Sequence, residues 1–151
     1  MLQQTQVATV IPYFNRFIKY IPNLKVLAQY DDQKLIKLWE GLGYYSRVKN
    51  LKKTAQIIIK DFNKSLPDNL LDLKSLPGIG DYTASAIMAI AFNKPIIPLD
   101  GNIERVLKRY LYLKNENQIR KDNLIKQKKI FGTSLRSSDY AQALMELGAL
   151  I

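Results

Sequence analysis

Between two apolar helical patterns the chain carries Leu76-Pro77-Gly78-Ile79-Gly80, and this short stretch constrains the fold more than any other. A proline and two glycines in five residues cannot continue a helix, so the segment predicts a tight hairpin with a new helix opening just past Gly80. The first amides of a helix lack intrahelical partners and carry the positive end of the dipole, while glycines let another backbone approach. Such a hairpin is suited to gripping a phosphate. Read alone, the same residues also make an ordinary helix connection punctuated by Pro and Gly.

The rest of the 151-residue chain predicts helices. Val7, Val10, Ile11, Phe14 and Phe17 recur at three-and-four spacing through a segment interrupted by Pro12. Two short helices are expected at Leu24 to Tyr30 and Asp31 to Glu40, the second capped by Asp31 with Leu35, Ile36 and Trp39 on its buried face. Gly41-Leu42-Gly43 stops that pattern, and a helix carrying Val48, Leu51, Ala55, Ile58 and Ile59 runs on to about Phe62. A short helix over Asp68 to Ser75 leads into the hairpin, and an almost wholly apolar one, Thr83 to Phe92, leaves it and should be buried. Helices at Asn102 to Leu113, Asn123 to Ile130 and Tyr140 to Ile151 complete the chain. No strand pattern competes, so the fold class is all-α. Pro95 and Pro98 place a domain boundary near residue 93, giving a helical lobe over 1–92 and part of a second over 93–151.

Composition limits the chemistry. With no Cys and no His, the chain offers no disulfide, no thiolate metal site and no imidazole base, so carboxylates, Tyr and Lys remain. A net charge of +10 favours a polyanionic partner, although a Lys-rich chain also arises from a biased genome. No apolar run spans a bilayer and no signal peptide opens the sequence, which gives a cytoplasmic, nucleoid-associated expectation. Asp100, between a proline-bounded loop and Gly101-Asn102, reads as a helix N-cap. It also reads as a carboxylate able to stabilise an oxocarbenium-like transition state, and the two roles are compatible. Such chemistry calls for a second, protonated carboxyl group; Glu40 and Glu104 are available, though their positions also suit surface residues. Leu2-Gln3-Gln4-Thr5-Gln6 brings amides and a hydroxyl together beside an apolar wedge, and Tyr44-Tyr45 could stack on bases or belong to the core.

Together these motifs resemble the helix-hairpin-helix DNA glycosylase superfamily, more narrowly the MutY-type adenine DNA glycosylases. The similarity runs over almost the whole chain: Met1 to Val7, Gly41 to Arg47, Leu76 to Gly80, Leu99 to Asn102 and Gln142 to Ile151 match successive family motifs. The resemblance implies a helical barrel-like lobe plus part of a second, and a monofunctional DNA N-glycosylase. Its activity would remove adenine mispaired with 8-oxoguanine or guanine from double-stranded DNA, with the protein acting as a monomer. Asp100 would stabilise the cation developing on the deoxyribose of a flipped nucleotide. Tyr82 stands where strand-cleaving relatives carry a nucleophilic lysine, and a phenol forms no Schiff base. Leu2, Gln3, Gln4, Thr5, Tyr44, Arg47, Gly78, Gly80 and Gln142 would contact DNA or the adenine, with no metal ligand among them. The resemblance also marks two departures. The family's acidic glutamate falls two positions before Met1, and its four cluster-binding cysteines begin just past Ile151. The expectation is therefore a truncated form, weak or inactive, with no [4Fe-4S] cluster bindable by this chain although one is implied for the full-length family. The alternative is a non-catalytic helix-hairpin-helix DNA-binding remnant; a thymine mismatch glycosylase of the same superfamily fits Gln3-Gln4-Thr5 less well.

Overall fold

The computed structural model describes residues 1–2, 5–113 and 135–151. Eight helices and no strand occur among them: α1 (Val7–Tyr20), α2 (Leu24–Gln29), α3 (Asp32–Trp39), α4 (Ser46–Asp61), α5 (Leu70–Ser75), α6 (Asp81–Ile90), α7 (Gly101–Tyr110) and α8 (Ser137–Leu150). The all-α fold class holds. The expected helix over Asn123 to Ile130 lies outside the described residues.

Local chemistry sets several boundaries. The side chain of Asn23 accepts from the Val26 amide at 3.0 Å to open α2, and Asp31 accepts from the Lys34 amide at 2.9 Å to open α3. Pro12 sits inside α1 without ending it.

The chain divides into two compact units, residues 1–67 with 75–78, and residues 68–74 with 79–151. Within the second unit α6 packs on α8 and so groups with the residues that follow it.

In the first unit Val10, Phe17, Leu27, Leu35, Trp39 and Val48 belong to one buried cluster. Phe17 and Trp39 meet edge to face at 6.1 Å, a favoured aromatic geometry, and the Trp39 indole N–H donates to the Gly43 carbonyl at 3.1 Å. Several apolar positions depart from the expected buried faces. Ile36 follows Leu35 and so falls off the Leu35–Trp39 line, leaving it 37% exposed, and Leu51 on α4 is also exposed. In α1 only Val10 and Phe17, seven residues apart, are buried; Val7, Ile11 and Phe14 lie on an adjacent, exposed line.

In the second unit Ile97, Leu99, Ile103, Val106, Leu107 and Leu144 form the core where α7 and α8 pack together. Gly148 permits that packing: a Cβ there would overlap the backbone of Asn102. The α6 helix, expected buried all round, hides Ala84, Met88 and Ala89 but exposes Tyr82 and Ile90.

Candidate functional site

The hairpin has the geometry its sequence requires. Gly78 adopts φ +79°, a conformation open to glycine at no steric cost, and a Cβ there would press on the Asn50 side chain at 2.9 Å. The preceding turn is anchored by Thr54 of α4, whose hydroxyl donates to the Pro77 carbonyl at 3.1 Å. Gly80 is the N-cap of α6 and has no side chain to occupy the amides that follow, so the first turn of α6 faces outward without an internal cap. Both glycines are exposed, and a Cβ on Gly80 would meet nothing. This combination can accept an anion through backbone N–H groups. Asn50 and Thr54 were not singled out from sequence; their link to the hairpin spans more than 20 residues and leaves no local signal.

In the second unit Asp100 caps α7. One carboxylate oxygen accepts from the Ile103 amide at 2.8 Å and the other from the Asn102 side-chain amide at 3.3 Å. Asn102 in turn accepts from Arg105 at 3.2 Å, and Arg105 also donates to the Gly148 carbonyl of α8. The carboxylate is half-buried and fixed in direction by two donors. Tyr82 lies in the first turn of α6 and is 37% exposed. Burial, and secondarily the negative charge of Asp100, push its phenol above the ordinary value of 10.0. Tyr82 therefore stays a neutral hydrogen-bond donor through the physiological range. Glu104, one turn into α7, is engaged by Lys108 at 3.5 Å. Gln142 on α8 is exposed and donates to the carbonyl and hydroxyl of Ser138, both at 3.2 Å.

The remaining site residues belong to the first unit. Gln3 and Gln4 lie outside the described residues. Leu2 is 57% exposed and Tyr44 66% exposed, the latter at φ +46°. Thr5 lies beside the guanidinium of Arg47, with its hydroxyl oxygen 3.4 Å from Nη1. No group of three or more His, Cys, Asp or Glu capable of holding a metal occurs among the described residues. No helix among them is long and apolar enough to cross a membrane.

Comparison with known proteins gives consistent relationships. A family model described as HhH-GPD superfamily base excision DNA repair protein matches residues 1–128. An adenine DNA glycosylase of Buchnera aphidicola subsp. Baizongia pistaciae (strain Bp) is 43% identical over 151 residues, covering 100% of this chain and 43% of the relative. The adenine DNA glycosylase of Mus musculus is 38% identical over 154 residues, with 100% of this chain and 30% of the relative covered. The chain thus spans less than half the length of these curated relatives. Among solved structures, a thermostable thymine-DNA glycosylase superposes with a TM-score of 0.81 at 25% identity, covering 99% of this chain and 70% of that one.

Proposed function

The chain belongs to the HhH-GPD superfamily of base excision DNA repair proteins, and from that premise we propose that it is an adenine DNA glycosylase. The proposed substrate is adenine opposite 8-oxoguanine or guanine in double-stranded DNA, and the reaction is hydrolysis of the N-glycosidic bond. The observation that carries the reading is the capped Asp100 carboxylate, whose charge acts on the phenol of Tyr82 at the first turn of the helix that leaves the hairpin.

The chemistry follows from these groups. As the bond from C1′ to the base breaks, its electron pair leaves with the adenine and positive charge develops on the sugar. A carboxylate already oriented by two donors stabilises that charge without reorganising. Water then adds to C1′ and gives up one proton, the departing adenine takes up one, and the products are neutral adenine and an abasic sugar. Tyr82 offers no amine, so no covalent imine with the sugar forms and no strand-cleaving step follows. The hairpin amides hold the backbone near the flipped nucleotide, and Leu2 and Tyr44 present exposed apolar side chains to the disturbed stack. A [4Fe-4S] cluster, implied by the superfamily resemblance, does not fit the residues present, because the chain contains no cysteine and supplies no thiolate to ligate one.

Curated relatives named adenine DNA glycosylase at up to 43% identity support adenine over the thymine favoured by the thymine-DNA glycosylase structure at 25%. Single-turnover incubation with duplexes carrying adenine opposite 8-oxoguanine, and thymine opposite guanine, tests the choice. Any base released, even slowly, is expected to be adenine, with strand breakage only after alkali is added. Thymine release would move the assignment to the mismatch thymine enzymes, and duplex binding without release of any base would favour a DNA-binding module.

A further inference from the structure

The guanidinium of Arg47 makes more polar contacts than any other side chain described in the first unit. Nη1 donates to the Met1 carbonyl at 2.9 Å, beside the Thr5 hydroxyl oxygen at 3.4 Å. Nη2 donates to the Leu42 carbonyl at 2.9 Å and the Gly43 carbonyl at 3.3 Å. Its carbon lies 5.4 Å from the centroid of the Trp39 ring and 5.6 Å from that of Tyr44, both within cation–π range.

This arrangement is unlike a phosphate-gripping arginine. A guanidinium that reads DNA presents its fork outward, whereas here both arms end on carbonyls of the protein and the head is partly buried. The carbonyls come from two segments more than 35 residues apart in sequence. One is the N-terminal stretch bearing Leu2; the other is the loop in which Gly43 and Tyr44 both take positive φ, +68° and +46°. A tyrosine in that region is strained and persists only where its surroundings over-determine it. The Arg47 contacts, together with the Trp39 indole on the Gly43 carbonyl, supply that determination.

We infer that Arg47 is a positioning residue: it fastens the Leu2 segment to the Tyr44 loop, so that the two exposed side chains act on the duplex as one preset wedge, and it does not itself grip a phosphate. The wedge role rests on the glycosylase reading above; the clamp stands on the contacts alone. A lysine would keep the charge but has no planar fork to serve carbonyls on both segments.

Arg47→Lys and Arg47→Met test this by two readouts. Without DNA, hydrogen exchange at Thr5 and in residues 42–45 should rise by about tenfold or more in both variants, with α2 and residues 50–61 of α4 unchanged. Unchanged exchange in both segments, or a rise spread over the whole unit, would overturn the clamp. With DNA, Arg47→Lys should keep the affinity for matched duplex and its salt dependence. It should lose preference for the adenine:8-oxoguanine duplex to the extent that Tyr44→Ala does, and the double variant should lose no more than either single one. Equal weakening on every duplex, with a salt slope reduced by about one, would make Arg47 a phosphate contact and sink the proposal. If the unaltered protein prefers no adenine-containing duplex, the glycosylase reading fails while the exchange result still decides the clamp.

Discussion

At the scale of single residues, Asp100 caps α7 and, under the proposed function, also carries the charge that faces the sugar, and substitutions separate the two. Asn caps helices as well as Asp does, so Asp100→Asn should leave thermal stability nearly unchanged. Removing the charge facing the sugar should nonetheless slow adenine release on the order of 10²–10³-fold, the usual cost of losing one preorganised electrostatic group. Asp100→Ala should lose activity to the same degree and also about 0.5–2 kcal/mol of stability, because the Ile103 amide loses its acceptor. Thermal unfolding beside single-turnover kinetics separates the effects; equal activity in Asp100→Asn and the parent would remove Asp100 from the chemistry. Tyr82 gives a pH prediction. Its phenol is raised in the folded state, so the folded protein holds that proton more tightly than the unfolded chain. Its contribution is complete below pH 10.0 and declines as pH climbs toward the raised folded value. Tyr82→Phe should flatten that part of the alkaline loss in pH-dependent unfolding, and an unchanged profile would contradict it. Asp100 was legible in sequence because its capping bond spans only three residues, whereas the Arg47 clamp joins residues 46 and 42 apart and left no local trace.

Among the elements, the glycines make unequal predictions. Gly78→Ala forces an L side chain into φ +79° against Asn50, and should destabilise by more than the ~0.4–1 kcal/mol that an unstrained glycine-to-alanine change gains. Gly80→Ala, at φ −91° with open space around it, should cost only the ~0.5–1 kcal/mol by which glycine outranks alanine at an N-cap, less than Gly78→Ala. Equal melting temperatures for the two variants would contradict the positive φ of Gly78 and its contact with Asn50. Gly148→Ala drives a Cβ into the Asn102 backbone, and overpacking of this kind costs about 1–3 kcal/mol. Because Asn102 holds a carboxylate oxygen of Asp100, the same variant should also lower activity when assayed well below its melting temperature. Helix starts and stops were readable from caps and glycines, since these are local chemistry: Asp31, Gly80 and Asp100 all stand at the ends expected of them. Buried faces were less readable. A hydrophobic position next to the true line of contact, such as Ile36 or Leu51, is chemically indistinguishable from one on it until the partner helix is placed.

For the molecule as a whole, the order of motifs made the superfamily legible, while the packing of α6 on α8, far apart in sequence, left no local signal. The net charge of +10 is the remaining global quantity, and its meaning differs with where the charge sits. Some lysines and arginines are paired: Lys52 with Asp32, Lys74 with Asp81, Lys94 with Asp68, Lys108 with Glu104 and Arg136 with Asp139. Lys49, Lys53 and Lys60 are exposed on α4, as a solvated face requires. If that is right, they enlarge the long-range field that draws DNA in but bind no phosphate directly. Replacing all three with Gln should then slow association at low salt while leaving the slope of log affinity against log salt nearly unchanged. Gly78→Ala should have the reverse signature, a slope shallower by about 0.9, the value of one phosphate contact. Fluorescence anisotropy across a salt series, paired with stopped-flow association rates, distinguishes the two. A slope shallower by nearly three in the lysine variant would mean that α4 lies on the backbone itself, and would overturn the proposal that the hairpin is the element holding the duplex.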